Sequence, residues 1–272
     1  MLSLYQMRPV SLRVLVVGET CSDIFVYGSA SRLCPDVPAP VFKTNKTVLS
    51  EGMAGNTKRN LEALGIEVDL ISQQKPITKT RYVDEKLNYT FLRVDEENSI
   101  DQFDNSVVTN DEISSYDAVV ISDYGKNFLS KADINRLCAN NTNTFLDTKK
   151  CIGFFCKEAA YIKINRPEFD AIQSSINAKE WVDKLIVTLG DRGCMIMKQN
   201  GFHYYPAEKV DVFDLSGAGD SFLAALVAKQ LETNNIDKAI KYANKKSAEV
   251  VQKRGVSVIQ NTEGILEKQD VL

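Results

Sequence analysis

The sequence predicts an α/β protein: a doubly wound, mostly parallel sheet with helices on both faces and a small β lid. Three features of the chain point there. From Tyr116 onward, short apolar runs alternate with helical patterns, and such alternation builds parallel sheets. Leu12-Arg13-Val14-Leu15-Val16-Val17-Gly18 is a nearly continuous apolar run, as in a strand covered on both faces. Ile77 to Val83 and Asn88 to Val94 instead alternate apolar with polar residues, the pattern of strands with one face in water.

The elements follow in order. Gly18 closes the first strand, and Asp23 lies just beyond its end, where open α/β sheets gather their ligands. Val37-Pro38-Ala39-Pro40-Val41-Phe42 reads as an edge strand because of its prolines, and Thr47 to Leu49 extends it. A helix opens at Gly52-Met53-Ala54-Gly55-Asn56 and runs to Leu64, with Gly65 at its C′ position. Val68 to Ile71 is a strand. The alternating segments, joined at Asp84-Glu85-Lys86, form an antiparallel pair. With the proline-bearing segment they make a lid near residues 37–49 and 77–94.

Ala118 to Ser122 is a strand, Lys131 to Ala139 a helix, and Thr144 to Leu146 a strand ending at Asp147. Ala160 to Ile164 is a strand ending at Asn165, with Pro167 expected at the first helical position. Leu185 to Leu189 and Cys194 to Lys198 flank the turn Gly190-Asp191-Arg192-Gly193. Phe202 to Tyr205 and Val210 to Phe213 are the last strands. A helix then places Phe222, Leu223, Leu226, Val227 and Leu231 at 3.6-residue spacing. The final helix, from Ile236, turns Ala239, Ile240, Ala243, Val250 and Val251 to one face.

Composition narrows the function. The 272 residues, 44% hydrophobic and 25% charged, are read as one globular domain. A net charge of -3 argues against a nucleic-acid partner. No apolar run approaches membrane-spanning length, and Met1 to Pro9 does not read as a signal peptide. The six cysteines form no C-x-x-C pair and His203 is the single histidine, which argues against a zinc site or a histidine-based triad. Scattered cysteines fit reduced thiols in a cytoplasmic protein.

The most telling run is Asp214-Leu215-Ser216-Gly217-Ala218-Gly219-Asp220-Ser221-Phe222. A helix starting there aims the N–H groups of Gly217, Ala218 and Gly219 at one point, ready for an anion. Asp220 places a base beside it, which is equipment for moving a phosphoryl group onto a hydroxyl. Each piece also has a plainer reading. An aspartate in a first helical turn favours the helix dipole by only ~0.3–1 kcal/mol, and Gly-Ala-Gly makes an ordinary tight turn. Neither a Rossmann fingerprint nor a Walker A loop fits. Asn165-Arg166-Pro167-Glu168 sets an amide and a carboxylate across a first turn. Such oxygens suit magnesium and its waters, although N-x-x-E is more often a capping arrangement. Asp23, Asp123 and Asp147 lie at further strand ends.

Together these segments resemble the ribokinase-like (PfkB) carbohydrate kinases. Asp214 to Asp220 resembles that family's C-terminal D-T-x-G-A-G-D signature, and Asn165 to Glu168 its magnesium and phosphate motif. Val187-Thr188-Leu189-Gly190-Asp191-Arg192-Gly193 is similar to its nucleotide-side V-T-x-G-x-x-G. Gly52 to Asn56 is similar to its sugar-side G-G-x-x-x-N. The opening, from Val16-Val17-Gly18-Glu19 through Val37-Pro38-Ala39-Pro40-Val41, resembles the heptose 7-phosphate kinase domain of ADP-heptose synthases. Ile77 to Arg81 and Ile121 to Lys126 are similar to further segments of that group. In those synthases a nucleotidyltransferase domain is often fused on, and the present length leaves room for the kinase domain alone.

The resemblance implies a ribokinase-like fold and an ATP- and magnesium-dependent phosphotransferase acting on the alcohol group of a sugar or sugar phosphate. Asp220 would take the acceptor's proton, and the amides of Gly217, Ala218 and Gly219 would hold the developing charge. Asn165 and Glu168 would position magnesium through water. Thr188, Gly190, Gly193 and Asn244 would border the nucleotide, while Asp23, Asn56 and Asp123 would face the sugar. Arg32, Lys58, Lys79, Arg81, Arg93 and Lys126 are candidates to bind a phosphate on the acceptor. A homodimer through the lid is implied as well.

The chain departs from the family pattern at Met53, in place of a glycine, at Lys58, where small residues are common, and mildly at Ser216. It also passes through Ser72-Gln73-Gln74-Lys75-Pro76 almost directly into the lid, where relatives insert a helix and a strand. These departures bear on the acceptor and on the dimer. Other readings are a kinase for another sugar or a nucleoside, and a silent sugar- or nucleotide-binding regulator. Convergence of Arg32, Lys58 and Arg81 on the sugar pocket would favour a phosphorylated acceptor.

Overall fold

Alternation within the buried strands decides which face each side chain serves, and it builds a core on either side of one sheet. A computed structural model describes residues 11–97 and 99–260. The main sheet contains β1 (Arg13–Gly18), β4 (Glu67–Ile71), β7 (Ala118–Asp123), β8 (Thr144–Thr148), β9 (Tyr161–Asn165), β10 (Leu185–Thr188), β11 (Cys194–Lys198) and β12 (Gly201–Tyr205). Its order is β12-β11-β10-β9-β8-β7-β1-β4, parallel from β10 to β4 with an antiparallel pair at the other edge. The lid is a separate sheet of β2 (Thr20–Leu33), β3 (Pro40–Met53), β5 (Ile77–Asp84) and β6 (Thr90–Glu97), ordered β3-β2-β5-β6.

Val14, Val16, Ala118 and Val120 point to the face covered by α1 (Ala54–Ala63), α5 (Ala218–Thr233) and α6 (Ile236–Val251), meeting Leu61, Phe222, Leu226 and Ile240. Leu15, Val17, Val119 and Ile121 point the other way, onto Ile113, Ile134, Leu137 and Phe169 of α2 (Asn110–Ser115), α3 (Lys131–Ala139) and α4 (Arg166–Ile172). Helices on both faces of a largely parallel sheet match the expected class.

Several expectations need correction. Asp23 is not in a loop beyond the first strand but inside β2, whose two edges bond to β3 and β5. β3 runs on through Gly52, so α1 opens at Ala54 with Met53 at φ 59 before it. Pro167 occupies the second helical position, because Asn165 caps a helix that starts at Arg166. Val210 to Phe213 is not a strand. There the amides of Phe213 and Asp214 turn to the carbonyl of Val251, at 2.8 and 3.2 Å, and pair with no neighbouring strand. α5 is buried nearly all round, Ala224, Ala225 and Ala228 included, since it packs between α1 and α6. α2 was not foreseen, and its start is fixed by a capping box of Thr109 and Glu112.

Glu19, between β1 and β2, is fully buried and locks the loop that follows β7. Its carboxylate accepts N–H bonds from Tyr124 at 2.7 Å, Lys126 at 2.9 Å and Phe128 at 3.3 Å. Removing it strands buried donors, each costing about 1–3 kcal/mol. Glu19→Ala is therefore expected to lower stability by about 3 kcal/mol. Glu19→Gln, which keeps one acceptor oxygen, is expected to lose less, as thermal denaturation followed by circular dichroism would show.

Candidate active site

Gly217 caps α5 in the left-handed region, at φ +81, and a Cβ there would fall 2.5 Å from Asn56 Nδ2. Only glycine meets both demands. One turn on, Asp220 is 5% exposed. Asn56 Nδ2 donates to its Oδ2 at 2.9 Å, and the Tyr124 hydroxyl donates to its Oδ1. Asn56 is itself fixed by Asn60, whose Nδ2 donates to Asn56 Oδ1 at 3.1 Å. Burial pushes the Asp220 carboxyl up to about 6, against the pull of the Tyr124 and Asn56 hydrogen bonds and of Lys163. The three expected amides are not equivalent. Ala218 donates to the Leu215 carbonyl at 3.2 Å, whereas Gly217 and Gly219 donate to no group among the described residues.

Two adjoining cavities meet at this helix start. A polar one of about 580 Å³ is lined by Tyr124, Asp147, Lys149, Lys163, Gly217 and Asp220. A more apolar one of about 520 Å³ is lined by Gly193, Val212, Phe222, Asn244, Ala248 and Val251. Thr188, Gly190, Leu215 and Gly219 border both. Gly193, at φ +89, lets the β10–β11 turn press onto β12, where a Cβ would lie 2.1 Å from the Tyr205 carbonyl oxygen. Asn244 Nδ2 donates to that same carbonyl at 3.0 Å, so it stiffens the cavity wall. An apolar chamber opening into a polar one that carries Lys149, Lys163 and Arg166 suits a nucleoside polyphosphate.

Asn165 and Glu168 form a reciprocal capping box at 2.9 and 2.8 Å, and Glu168 Oε1 also pairs with Lys149. No group of three or more His, Cys, Asp or Glu side chains able to hold a metal occurs among the described residues. The Asn165 amide and the Glu168 carboxylate are hard oxygen donors of the kind that suit magnesium and its waters.

The lid presents its own charged face. Strand register sets Asp23 beside Lys79, Arg81 beside Arg93, and Lys79 beside Asp95. Arg81 pairs with Asp23, and Arg93 makes a two-pronged contact with Asp95 at 2.7 and 2.8 Å. Lys79, 9% exposed, lies 5.5 Å from the Tyr124 ring centre. Lys126 reaches Glu97 at the end of β6, at 2.6 Å, and so ties lid to body.

Three expected residues stand apart. Arg32 is exposed at the far end of β2, about 30 Å along the strand from Asp23. Lys58 bonds Glu62 at 2.7 Å on α1. Asp123 is 1% exposed and spent on Lys150, Thr148 and the Gly125 amide. Of the named trio Arg32, Lys58 and Arg81, only Arg81 reaches the face that carries Asp23. Tyr124, Lys149, Lys163 and Glu19 were not singled out as site residues. Lys163 did carry a signal: a lone charge inside the apolar run Tyr161-Ile162-Lys163-Ile164 must have a partner. It has one in Asp147 on the next strand.

The model of the pfkB family of carbohydrate kinases matches residues 50–263. The Bifunctional protein HldE of Bradyrhizobium diazoefficiens is 28% identical over 92% of this chain and 61% of its own length. The HldE of Campylobacter curvus is 28% identical over 90% and 62% respectively. The chain thus spans about three fifths of these curated relatives. In structure it is similar to a ribokinase from Thermotoga maritima, with a TM-score of 0.68 and 18% identity over 90% of this chain and 94% of that one. An Arabidopsis thaliana ribokinase complexed with ribose and ATP gives a TM-score of 0.68 at 14% identity, over 94% and 98%. The ribokinase-like fold is shared. With the family model matching most of its length, this chain belongs to the pfkB family of carbohydrate kinases, phosphotransferases with an alcohol group as acceptor.

Proposed function

We propose that the chain transfers the γ-phosphoryl group of ATP to a hydroxyl of a sugar phosphate, with a heptose 7-phosphate as the leading acceptor. The observation that carries this reading is Asp220, a buried carboxylate held by two donors beside the open amides of Gly217 and Gly219. The acceptor hydroxyl gives its proton to Asp220 while its oxygen bonds to the γ-phosphorus. The bond from that phosphorus to the bridging oxygen breaks, and its electron pair leaves with ADP. Gly217 and Gly219 hold the charge that develops, and Ala218 shapes the turn. Thr188, Gly190, Gly193 and Asn244 border the nucleoside end. Asn165 and Glu168 would hold magnesium through its waters, and the metal would offset charge on the phosphate oxygens.

On the acceptor side Asp23 and Asn56 face the sugar, while Lys79, Arg81 and Arg93 receive an acceptor phosphate. The heptose reading is supported by the HldE relatives and by this lid cluster. Exposed Leu49, Leu92 and Val94 on the lid's opposite face support self-association through the lid. No described helix is long and apolar enough to cross a membrane. The free cysteines support a reducing, cytoplasmic setting.

ADP release with ATP and magnesium, across sugars that include heptose 7-phosphates, tests the reading. Turnover on no sugar, with nucleotide bound, would favour a silent binder. Asp220→Asn is expected to cut kcat by ~10²–10⁴-fold. In wild type, kcat is expected to fall as pH drops below about 6, because Asp220 must be ionised to accept the proton. The stability effect has the opposite sense. A carboxyl raised by burial contributes stability at low pH that is lost as pH rises through about 6, so Asp220→Asn should melt no lower than wild type at neutral pH.

Arg81→Met probes the acceptor. It is expected to raise KM for a phosphosugar by ~10–100-fold and to affect the unphosphorylated sugar much less. Equal effects on both would show that Arg81 serves only to hold Asp23.

A further inference from the structure

We infer that Lys163 is a further catalytic residue, its ammonium meeting the phosphoryl group in transit, with Asp147 as the positioning residue that fixes it; this rests on the kinase reading above. Lys163 is 5% exposed, on a strand whose neighbours Ile162 and Ile164 are core. Its Nζ lies 2.6 Å from Asp147 Oδ2. A buried ion pair adds little net stability unless every lone pair is satisfied. Here Asp147 Oδ1 is buried with no hydrogen-bond partner. The pair is therefore a poor structural staple, and its position argues for another use.

That position is beneath the start of α5. A Cβ on Gly219 would fall 3.1 Å from Lys163 Nζ, so the ammonium sits against the same turn that offers the open amides. Lys163, Gly217, Gly219 and Asp220 line one cavity. The nearby Lys149 is committed to Glu168. Lys163 is thus a fixed positive charge on the wall of the chamber where the phosphoryl oxygens must lie. Asp147 offsets it when the chamber is empty and keeps it from swinging away. A charge already in place needs no reorganisation as the phosphoryl group moves. Lysine suits this task as a point charge on phosphate. The acceptor's proton still goes to Asp220.

Lys163→Met alone leaves Asp147 buried and unpaired, so the double variant Lys163→Met/Asp147→Asn, which removes both charges, is the decisive one. Binding of AMP-PNP and of ADP is measured by calorimetry for wild type and double variant, alongside kcat and thermal unfolding. The expected result is a folded protein with kcat lowered by about 10²-fold or more. Its preference for AMP-PNP over ADP is expected to shrink by about tenfold. An unchanged preference in a folded double variant overturns the inference and leaves the kinase reading standing. A wild type that binds neither nucleotide overturns both.

Discussion

In the reaction proposed above, Asp220 has to be out of water and yet able to carry a negative charge, and the surrounding elements meet both demands. Burial alone raises its pKa, and that makes it a stronger base once ionised. Asn56 from α1 and Tyr124 from the loop after β7 each give a hydrogen bond to one oxygen, and Lys163 adds a nearby positive charge. The result is a carboxyl near 6, ionised at neutral pH but close enough to it to take a proton. Gly217 follows from the same requirement, since any side chain there would displace the Asn56 amide.

Tyr124 connects this base to the rest of the molecule. Its backbone is held by buried Glu19, at the junction of main sheet and lid. Its ring has Lys79 of the lid at 5.5 Å and Lys149 at 5.6 Å. Burial, first of all, together with the charges of Asp220 and Asp147, holds its hydroxyl well above the usual tyrosine range, so it donates and does not ionise. Lys79 of the lid and Asp220 of the main body thus meet the same aromatic side chain, one at its ring and the other at its hydroxyl.

Much of this was legible in the chain because it rests on local rules. The buried parallel strands, α3, α6 and the Gly217-to-Asp220 turn each carry their own signal in apolar runs, capping and glycine placement. β2 was not legible: its fourteen residues mix Ser, Gly and Arg with apolar ones, and its pairing comes from distant partners on both edges. Val210 to Phe213 failed for the converse reason. It has strand-like composition, but the Phe213 amide, with that of Asp214 beside it, is taken by the Val251 carbonyl at the end of α6. The site residues divide the same way. Motif spacing located Asp220 and Asn165, while the choice among Arg32, Lys58 and Arg81 depended on which way each element faces.

A short link leads from Ile71 to β5, and β4 is the outer strand of the main sheet, where an exposed edge invites pairing with other chains. Charges flank that edge: Arg13 Nη2 meets Asp69 at 2.9 Å and Tyr116 donates to the same carboxylate at 2.8 Å. The link itself is pinned by Gln73, whose side chain exchanges hydrogen bonds with the backbone of Thr20 at 3.0 and 2.7 Å. Thr20 is the first residue of β2, so the contact holds the link beside the strand whose register sets Lys79 opposite Asp23 and Arg81 opposite Phe25. One buried glutamine thus ties the link to the start of β2, while the cavities around Asp220 are built from elements on the other side of β1.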